Sequence, residues 1–377
     1  MKAYLLSALI FLLATSPLYA QRRLTERLLS NEGDTSKRGS FLVLPALAYA
    51  QETGWAFGLV SLSSFYYNKK DTTTRPSIMS GVAAVTTKKQ WQLSFKPDIW
   101  TAGNKYHYLG ELRYKNFPFN YYGVGDRTLA ANKDIITQKL IKISAEVEKK
   151  LSRGIYVGLT SSYENYKFTD KEIGGIYETD LLTRNRDGGQ VFYFGVSQII
   201  DTRNSNNYPT KGTYLKLNYS YAPDFFGGDD FTGSTFKIDF RNFKSFSDKT
   251  VFGMNLNYQS LLGSSSPFYL LPQLGNDQMM RGYYTGRYRG QDLLAAQAEL
   301  RYRLIPRFGL AAFAGAGSVY SRGAFSFDRL KPSYGAGARY FVDPKRGTTL
   351  RFDYAFGEKR DNEKRQKGFY LSVSEAF

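Results

Sequence analysis

Residues 214–221 read YLKLNYSY, with Leu215, Leu217, Tyr219 and Tyr221 on one face and Lys216, Asn218 and Ser220 on the other. A period of two is the signature of a strand with one apolar and one polar side. The pattern recurs at 297–304 (QAELRYRL), where Ala298, Leu300, Tyr302 and Leu304 alternate with Gln297, Glu299, Arg301 and Arg303. It recurs again at 348–356 (TTLRFDYAF), where Leu350, Phe352, Tyr354 and Phe356 alternate with Arg351, Asp353 and Ala355. A sandwich buries its apolar rows in a protein core, whereas a membrane barrel turns them to lipid and keeps a polar lumen. Rows as charged as Glu299–Arg301–Arg303 fit the lumen.

Working outward, such runs lie at about 40–50, 55–67, 77–87, 89–101, 103–116, 135–149, 153–168, 189–201, 211–223, 231–244, 248–261, 290–304, 307–320, 331–342, 346–357 and 366–377. Sixteen is even, as single-chain outer-membrane barrels require. The expected fold is therefore all-β, a transmembrane antiparallel barrel of about 16 strands. Several connections are short and rich in turn residues, such as Ser152-Arg153-Gly154 and Ile305-Pro306, while those at 117–134, 169–188, 262–289 and 321–330 are long. Short periplasmic turns and longer outer loops predict this asymmetry.

The composition agrees. Aromatic residues make up 16% of the 377 residues, with 30 Tyr and 28 Phe, a mixture that favours strands. With no Cys and one His, His107, the chain cannot build a thiolate or multi-histidine metal site, a disulfide framework or a cysteine nucleophile. No cofactor or metal is expected. His107 sits in Lys105-Tyr106-His107-Tyr108 without a serine-nucleophile pattern beside it, so no catalytic residue is assigned and the chain is read as a non-enzyme. The first residues carry Lys2, the apolar run YLLSALIFLLA and Ser16-Pro17-Leu18-Tyr19-Ala20, the layout of a secretory signal cleaved after Ala20. That run, about 11 residues, is too short for a bilayer that needs about 20. The expected organisation is a signal peptide at 1–20, a short periplasmic tail at 21–39 and an outer-membrane barrel at 40–377.

Two clusters stand out. Asp201-Thr202-Arg203 and Tyr208-Pro209-Thr210-Lys211-Gly212 join the eighth and ninth strands. As a turn they are self-consistent: Asp closes on nearby backbone, Pro fixes φ, and Gly takes a left-handed position. The other is the segment 262–289, which ends in Met280-Arg281-Gly282-Tyr283-Tyr284; its length of about 28 residues marks a functional or disordered loop, and its prolines and aromatics argue for order.

These motifs resemble those of the BamA/TamA superfamily, the bacterial surface antigen proteins. The resemblance rests on Arg281-Gly282-Tyr283-Tyr284, on Gln297-Ala298-Glu299-Leu300-Arg301, on Phe313-Ala314-Gly315-Ala316-Gly317, on the turn Asp201-x-Arg203 to Pro209-x-x-Gly212, and on Pro45 with Glu52-Thr53-Gly54-Trp55. It implies a sixteen-stranded barrel whose sixth outer loop folds its Arg-Gly-aromatic tip into the lumen, locked by Arg281, Gly282, Tyr283, Glu299, Phe313 and Gly317. A guanidinium in such a lumen needs a carboxylate to accept its fork. Alternation points Glu299 and Phe313 inward, so Arg281 is expected to pair with Glu299 and lie on the Phe313 ring. Family members carry an Asp in the strand-thirteen motif where this chain has Gly315. Either Glu299 suffices, or Asp353 or another inward acid substitutes, or the loop is looser.

The family's POTRA repeats have no counterpart in the short stretch between Ala20 and the first strand, which weakens a client-capturing role without excluding it. The C-terminal row Phe369, Leu371, Val373 and Phe377 resembles the targeting signal of outer-membrane barrels, with Glu375 interrupting it near the interface. The formal net charge of +18 suits anions in a lumen or lipid phosphates at the rims; nucleic acid is not an expected partner, since the bases are dispersed. Expected partners are outer-membrane lipids including lipopolysaccharide, and unfolded outer-membrane proteins or a separate periplasmic protein, around a monomeric barrel in the bacterial cell outer membrane. Two functions remain open: aid to insertion or translocation of proteins or lipids through a weak seam, or a gated or passive pore for anionic or small polar solutes.

Overall fold

The computed structural model describes residues 40–66, 74–170, 172–227, 230–263, 265–344 and 347–377. The expected signal peptide and periplasmic tail lie outside the described residues. Sixteen antiparallel strands close into one barrel. They are β1 (Ser40–Ala50), β2 (Gly54–Phe65), β3 (Ser77–Thr86), β4 (Trp91–Trp100), β5 (Tyr106–Tyr121), β6 (Asp134–Ser152), β7 (Ile155–Asp170) and β8 (Gly188–Asp201). There follow β9 (Gly212–Ala222), β10 (Gly233–Ser245), β11 (Thr250–Gly263), β12 (Asp292–Ile305), β13 (Phe308–Tyr320), β14 (Lys331–Asp343), β15 (Thr348–Phe356) and β16 (Lys367–Val373). Each strand pairs with its sequence neighbours, and β16 returns to β1.

Closure is what a lipid environment demands, because an unpaired strand edge has no water to satisfy its amides. The side chains follow the same logic. Leu159 is 70% exposed on the outside, and Leu112, Ile143, Val196 and Leu300 join it there, while Glu164, Glu299, Arg301 and Asp353 of the alternate rows are buried. Among the described residues no helix is long and apolar enough to cross a membrane. The strands themselves supply the apolar band.

Strand length varies round the wall. The strands β5, β6 and β7 have 16, 19 and 16 residues, whereas β15 and β16 have 9 and 7. The strand expected to stop at 116 continues to Tyr121, beyond the alternating stretch, because Tyr121 is buried against Tyr177 and Phe268 from two loops. At the other extreme, β16 meets β1 through a single registered pair, Tyr49–Leu371. This seam is the weakest join in the barrel.

The apolar interior is built mostly by the connection between β11 and β12. Phe268 and Tyr269 pack with Tyr121, Ile136, Phe168 and Tyr177, and Leu271 packs with Val191, Tyr193 and Phe231. Further along, Leu274, Met280, Tyr283 and Tyr288 pack on Leu293, Ala295 and Val319 of the wall. A small ribbon, Gln273–Leu274 against Tyr288–Arg289, makes this segment a folded hairpin that caps the long-loop end of the lumen.

The last strand is shorter than the sequence pattern indicates. Alternation over 366–377 puts Phe377 on the lipid face with Phe369, Leu371 and Val373, but the strand ends at Val373 and Ser374 adopts φ 71°. That left-handed residue turns the remaining chain inward. Phe377 is 5% exposed and packs on Phe243, and Glu375 is buried as well. The expectation of an interfacial Glu375 and a lipid-facing Phe377 is therefore corrected: periodicity assigns a face only while the strand continues.

Candidate functional site: a buried arginine cluster under the folded-in loop

The tip of the β11–β12 connection reaches the wall through backbone that only certain residues adopt. Gly282 has φ 104°, and a Cβ there would stand 2.8 Å from the Phe356 carbonyl carbon. Gly275 has φ 89°, with Tyr283 Cβ 2.6 Å from where its own Cβ would be. With these approaches open, the Gly282 amide donates to the Tyr370 hydroxyl at 2.9 Å and Gln51 Nε2 donates to the Gly282 carbonyl at 3.2 Å. Tyr283 donates its hydroxyl to the Pro332 carbonyl at 2.6 Å and accepts the Glu358 amide at 2.8 Å. Ser333 donates to the Arg281 carbonyl at 2.6 Å, and the Thr285 amide donates to Glu52 Oε1 at 2.6 Å.

These contacts place Arg281, which is fully buried, between two carboxylates and a ring. Its Nη2 lies 2.7 Å from Glu299 Oε2 on β12, and its Nη1 pairs with Asp353 Oδ2 on β15. Its Cζ sits 3.4 Å from the centroid of Phe313 on β13. Around this core, Arg339 on β14 contacts Asp353 Oδ1 at 2.6 Å, Glu375 Oε2 at 2.8 Å and Glu299 Oε1 at 3.4 Å. Arg301 donates to Glu299 Oε1 at 2.8 Å and to the Phe377 carbonyl at 2.9 Å. Arg351 pairs with Asp277 of the loop at 2.9 Å and lies 3.4 Å from Asp353 Oδ2. Four arginines and four acids thus meet in one network. Such a set is tolerable out of water because each charge has a partner, and it fixes geometry more than it adds net stability.

The wall is shaped to receive the cluster. Gly337 lies directly opposite Asp353, and a Cβ there would stand 1.9 Å from Asp353 Oδ1. Gly335 lies opposite Phe313, and its Cβ would meet the Phe313 ring at 2.7 Å. Gly317 lies opposite Ala295, with the Ala295 methyl 2.8 Å from its would-be Cβ. At Gly315, where the resemblance implies an acid, a Cβ would be 2.5 Å from the Ala296 carbonyl oxygen. The second carboxylate on Arg281 comes instead from Asp353, one of the three alternatives the sequence left open. Arg339, Arg351, Asp277, Gly335, Gly337 and Tyr370 were not singled out from the sequence. Inward alternation marks the strand residues among them as lumenal, but nothing in one dimension says that they converge.

The other cluster also closes up. Arg203 grips Asp201 with its Nε at 2.9 Å and its Nη2 at 3.1 Å, while its Cζ lies 4.4 Å from the Tyr214 ring. Gly212 has φ 102°, and a Cβ there would stand 2.3 Å from the Thr202 carbonyl oxygen. Pro209 is buried, and its neighbour Tyr208 crosses the short-turn end of the lumen to pack on Val251 and Phe341. His107 lies inside too, stacked on Trp100 at 3.6 Å, its Nδ1 2.7 Å from Glu148 Oε2 and its Nε2 2.8 Å from Asp98 Oδ1. These two carboxylates, from β6 and β4, hold the ring between neighbouring strands. Between the two caps, on the β5–β11 side, remains a polar cavity of about 750 Å³ bordered by Lys142, Lys216 and Lys237.

Several solved structures share this architecture. BamA from Haemophilus ducreyi, in a form lacking POTRA domains 1–3, superposes with a TM-score of 0.62 at 13% identity, covering 89% of this chain and 70% of that one. CdiB from Acinetobacter baumannii gives 0.56 at 12% identity over 89% of this chain and 65% of its own. CdiB from Escherichia coli gives 0.56 at 8% identity over 93% and 69%. Identities this low speak to the fold. No curated protein matches the chain in sequence. The profile of the Omp85 superfamily domain matches residues 61–377, nearly all of the barrel just described, and the chain belongs to that superfamily.

Proposed function

We propose that this outer-membrane barrel assists the insertion or translocation of proteins or lipids, with its β1–β16 seam as the place where the wall opens and the Arg281 cluster holding the folded-in loop beside it. The observation that carries this reading is the seam: one registered pair, Tyr49–Leu371, against much longer ladders elsewhere, as between β6 and β7 from Ile136–Asp170 to Ser152–Ile155. A wall that parts does so where fewest ladder bonds are lost. Loop residues Gly282 and Asp277 contact Tyr370 and Ser372 of β16, so the loop and the weak strand are mechanically joined. Lipopolysaccharide, unfolded barrels and a separate periplasmic protein are the partners such an activity would meet.

The chain has no cysteine, which gives a clean test. In liposomes with an unfolded client barrel, the protein is expected to speed client folding. A Tyr49→Cys/Leu371→Cys pair should abolish that effect when oxidised and restore it on reduction. Client folding that is equally fast with the seam locked would sink the proposal.

The polar cavity keeps a second reading in play, a pore for anionic or small polar solutes. Against it stand the caps at both ends, the loop hairpin and the Tyr208 turn. Steady anion conductance of the intact barrel, with no effect on client folding, would favour the pore.

A further inference from the structure

The short-turn end carries a feature that the insertion reading does not use. At four consecutive connections, around residues 101–105, 149–154, 202–211 and 244–249, the barrel exposes Lys105, Lys149, Arg153, Lys211, Lys244 and Lys249. Asp248 is the one exposed acid in these stretches. Among the described residues none of the six bases makes an ion pair. At the long-loop end, by contrast, exposed bases are interleaved with the exposed acids Glu172, Glu178, Asp187, Asp224, Asp328 and Asp361.

Large apolar side chains sit among the bases. Leu151 is 60% exposed between Lys149 and Arg153, and Phe246 is 62% exposed between Lys244 and Lys249. The Lys244 ammonium lies 5.9 Å from the Phe246 centroid, and that of Lys105 lies 5.7 Å from Tyr106. Leu151 extends the outward row that also holds Ile143 and Val147, so the bases stand at the lower edge of the lipid-facing band. Cations on flexible stems beside groups that enter the acyl boundary match the depth of headgroup phosphates. A soluble acidic partner would leave Leu151 and Phe246 without a role.

We propose that this arc of four turns binds anionic phospholipid headgroups of the periplasmic leaflet, the leaflet that the short turns of such a barrel face. Each base offers its cation to a phosphate, and the neighbouring ring or aliphatic group anchors in the chains below. The arc runs from β4 to β11, away from the β1–β16 seam, so it would hold one side of the barrel in the membrane. It does not depend on insertion activity.

The test uses the full chain in phosphatidylcholine vesicles containing either spin-labelled phosphatidylglycerol or spin-labelled phosphatidylcholine, and reads the motionally restricted fraction of each. The wild type should prefer phosphatidylglycerol at least about fivefold, the contribution of one lysine near an anionic surface, with the preference shrinking as salt rises. Combining Lys149→Gln, Arg153→Gln, Lys244→Gln and Lys249→Gln should remove most of it. Combining Lys359→Gln, Lys364→Gln and Arg365→Gln at the opposite end should leave it intact. Equal association of the two lipids with the wild type, or a preference that survives the four rim substitutions, overturns the proposal. So does salt-sensitive binding of polyglutamate to the barrel in pure phosphatidylcholine without any preference for the anionic lipid, which would assign the arc to an acidic protein.

Discussion

Arg281 is the side chain on which the loop turns, because its fork touches Glu299 and Asp353 from two strands while its flat face covers Phe313. Removing a partner from a buried ion network leaves charge uncompensated. Arg281→Ala should therefore lower barrel stability by about 3 kcal/mol, the low end for broken buried pairs, since Arg301 and Arg339 still face the two acids. The midpoint of urea unfolding measures this, and protease sensitivity of the 264–291 segment should rise with it. Arg281→Lys should recover only part, because a point charge cannot bridge both carboxylates as a planar fork does. Gly337 makes the opposite demand, for empty space. Gly337→Ala should cost about 2 kcal/mol in the same measurement by driving Asp353 off Arg339, although it removes no charged group.

Among the connecting elements, three outer loops meet at Glu363. Its carboxylate accepts the Ala130 amide at 2.7 Å and pairs with Arg287 of the β11–β12 hairpin, while Arg360 donates to the Thr128 carbonyl at 2.8 Å. Burial alone would raise the Glu363 pKa, but the Ala130 amide and the Arg287 guanidinium outweigh it and hold the carboxyl below its ordinary value. A depressed carboxyl stabilises the folded form fully above its unfolded pKa, and that contribution fades as pH falls through the folded value. Between neutral pH and the range below about 4.5, the junction of the 122–133, 264–291 and 357–366 loops should loosen. Hydrogen exchange across pH is the measurement, and Glu363→Gln should flatten the profile. Equal acid lability in wild type and variant would dissociate Glu363 from the loop junction. The other notable element is β16, which ends at Val373 because Ser374 turns the chain inward and carries Glu375 to Arg339.

For the whole molecule, the outside must be lipid-facing and the inside polar, and a pair of substitutions separates this from a soluble barrel. Leu159→Arg, at a position 70% exposed on β7, should destabilise the barrel in bilayers by about 2–4 kcal/mol, whereas Lys237→Gln in the lumen should change it little. In a water-soluble protein the same arginine would be harmless, and that outcome would overturn the membrane reading. The period of two made the fold legible in one dimension, because every strand of a closed sheet must present one row to hydrocarbon and one to the lumen. From it came sixteen strands, the long loop after the eleventh, and the inward setting of Glu299 and Phe313. Sequence alone did not decide which acid would replace the one missing at Gly315, that Arg339 and Arg351 would join Arg281, or that the chain after Val373 would leave the wall. Those follow from closure: Glu299, Arg339 and Asp353 become neighbours only when β12 to β15 are set in register, and Glu375 joins them only where the chain turns inward after Val373. Alternation encodes which face a residue takes, whereas height along the wall and the partner across the lumen are fixed by how the strands align.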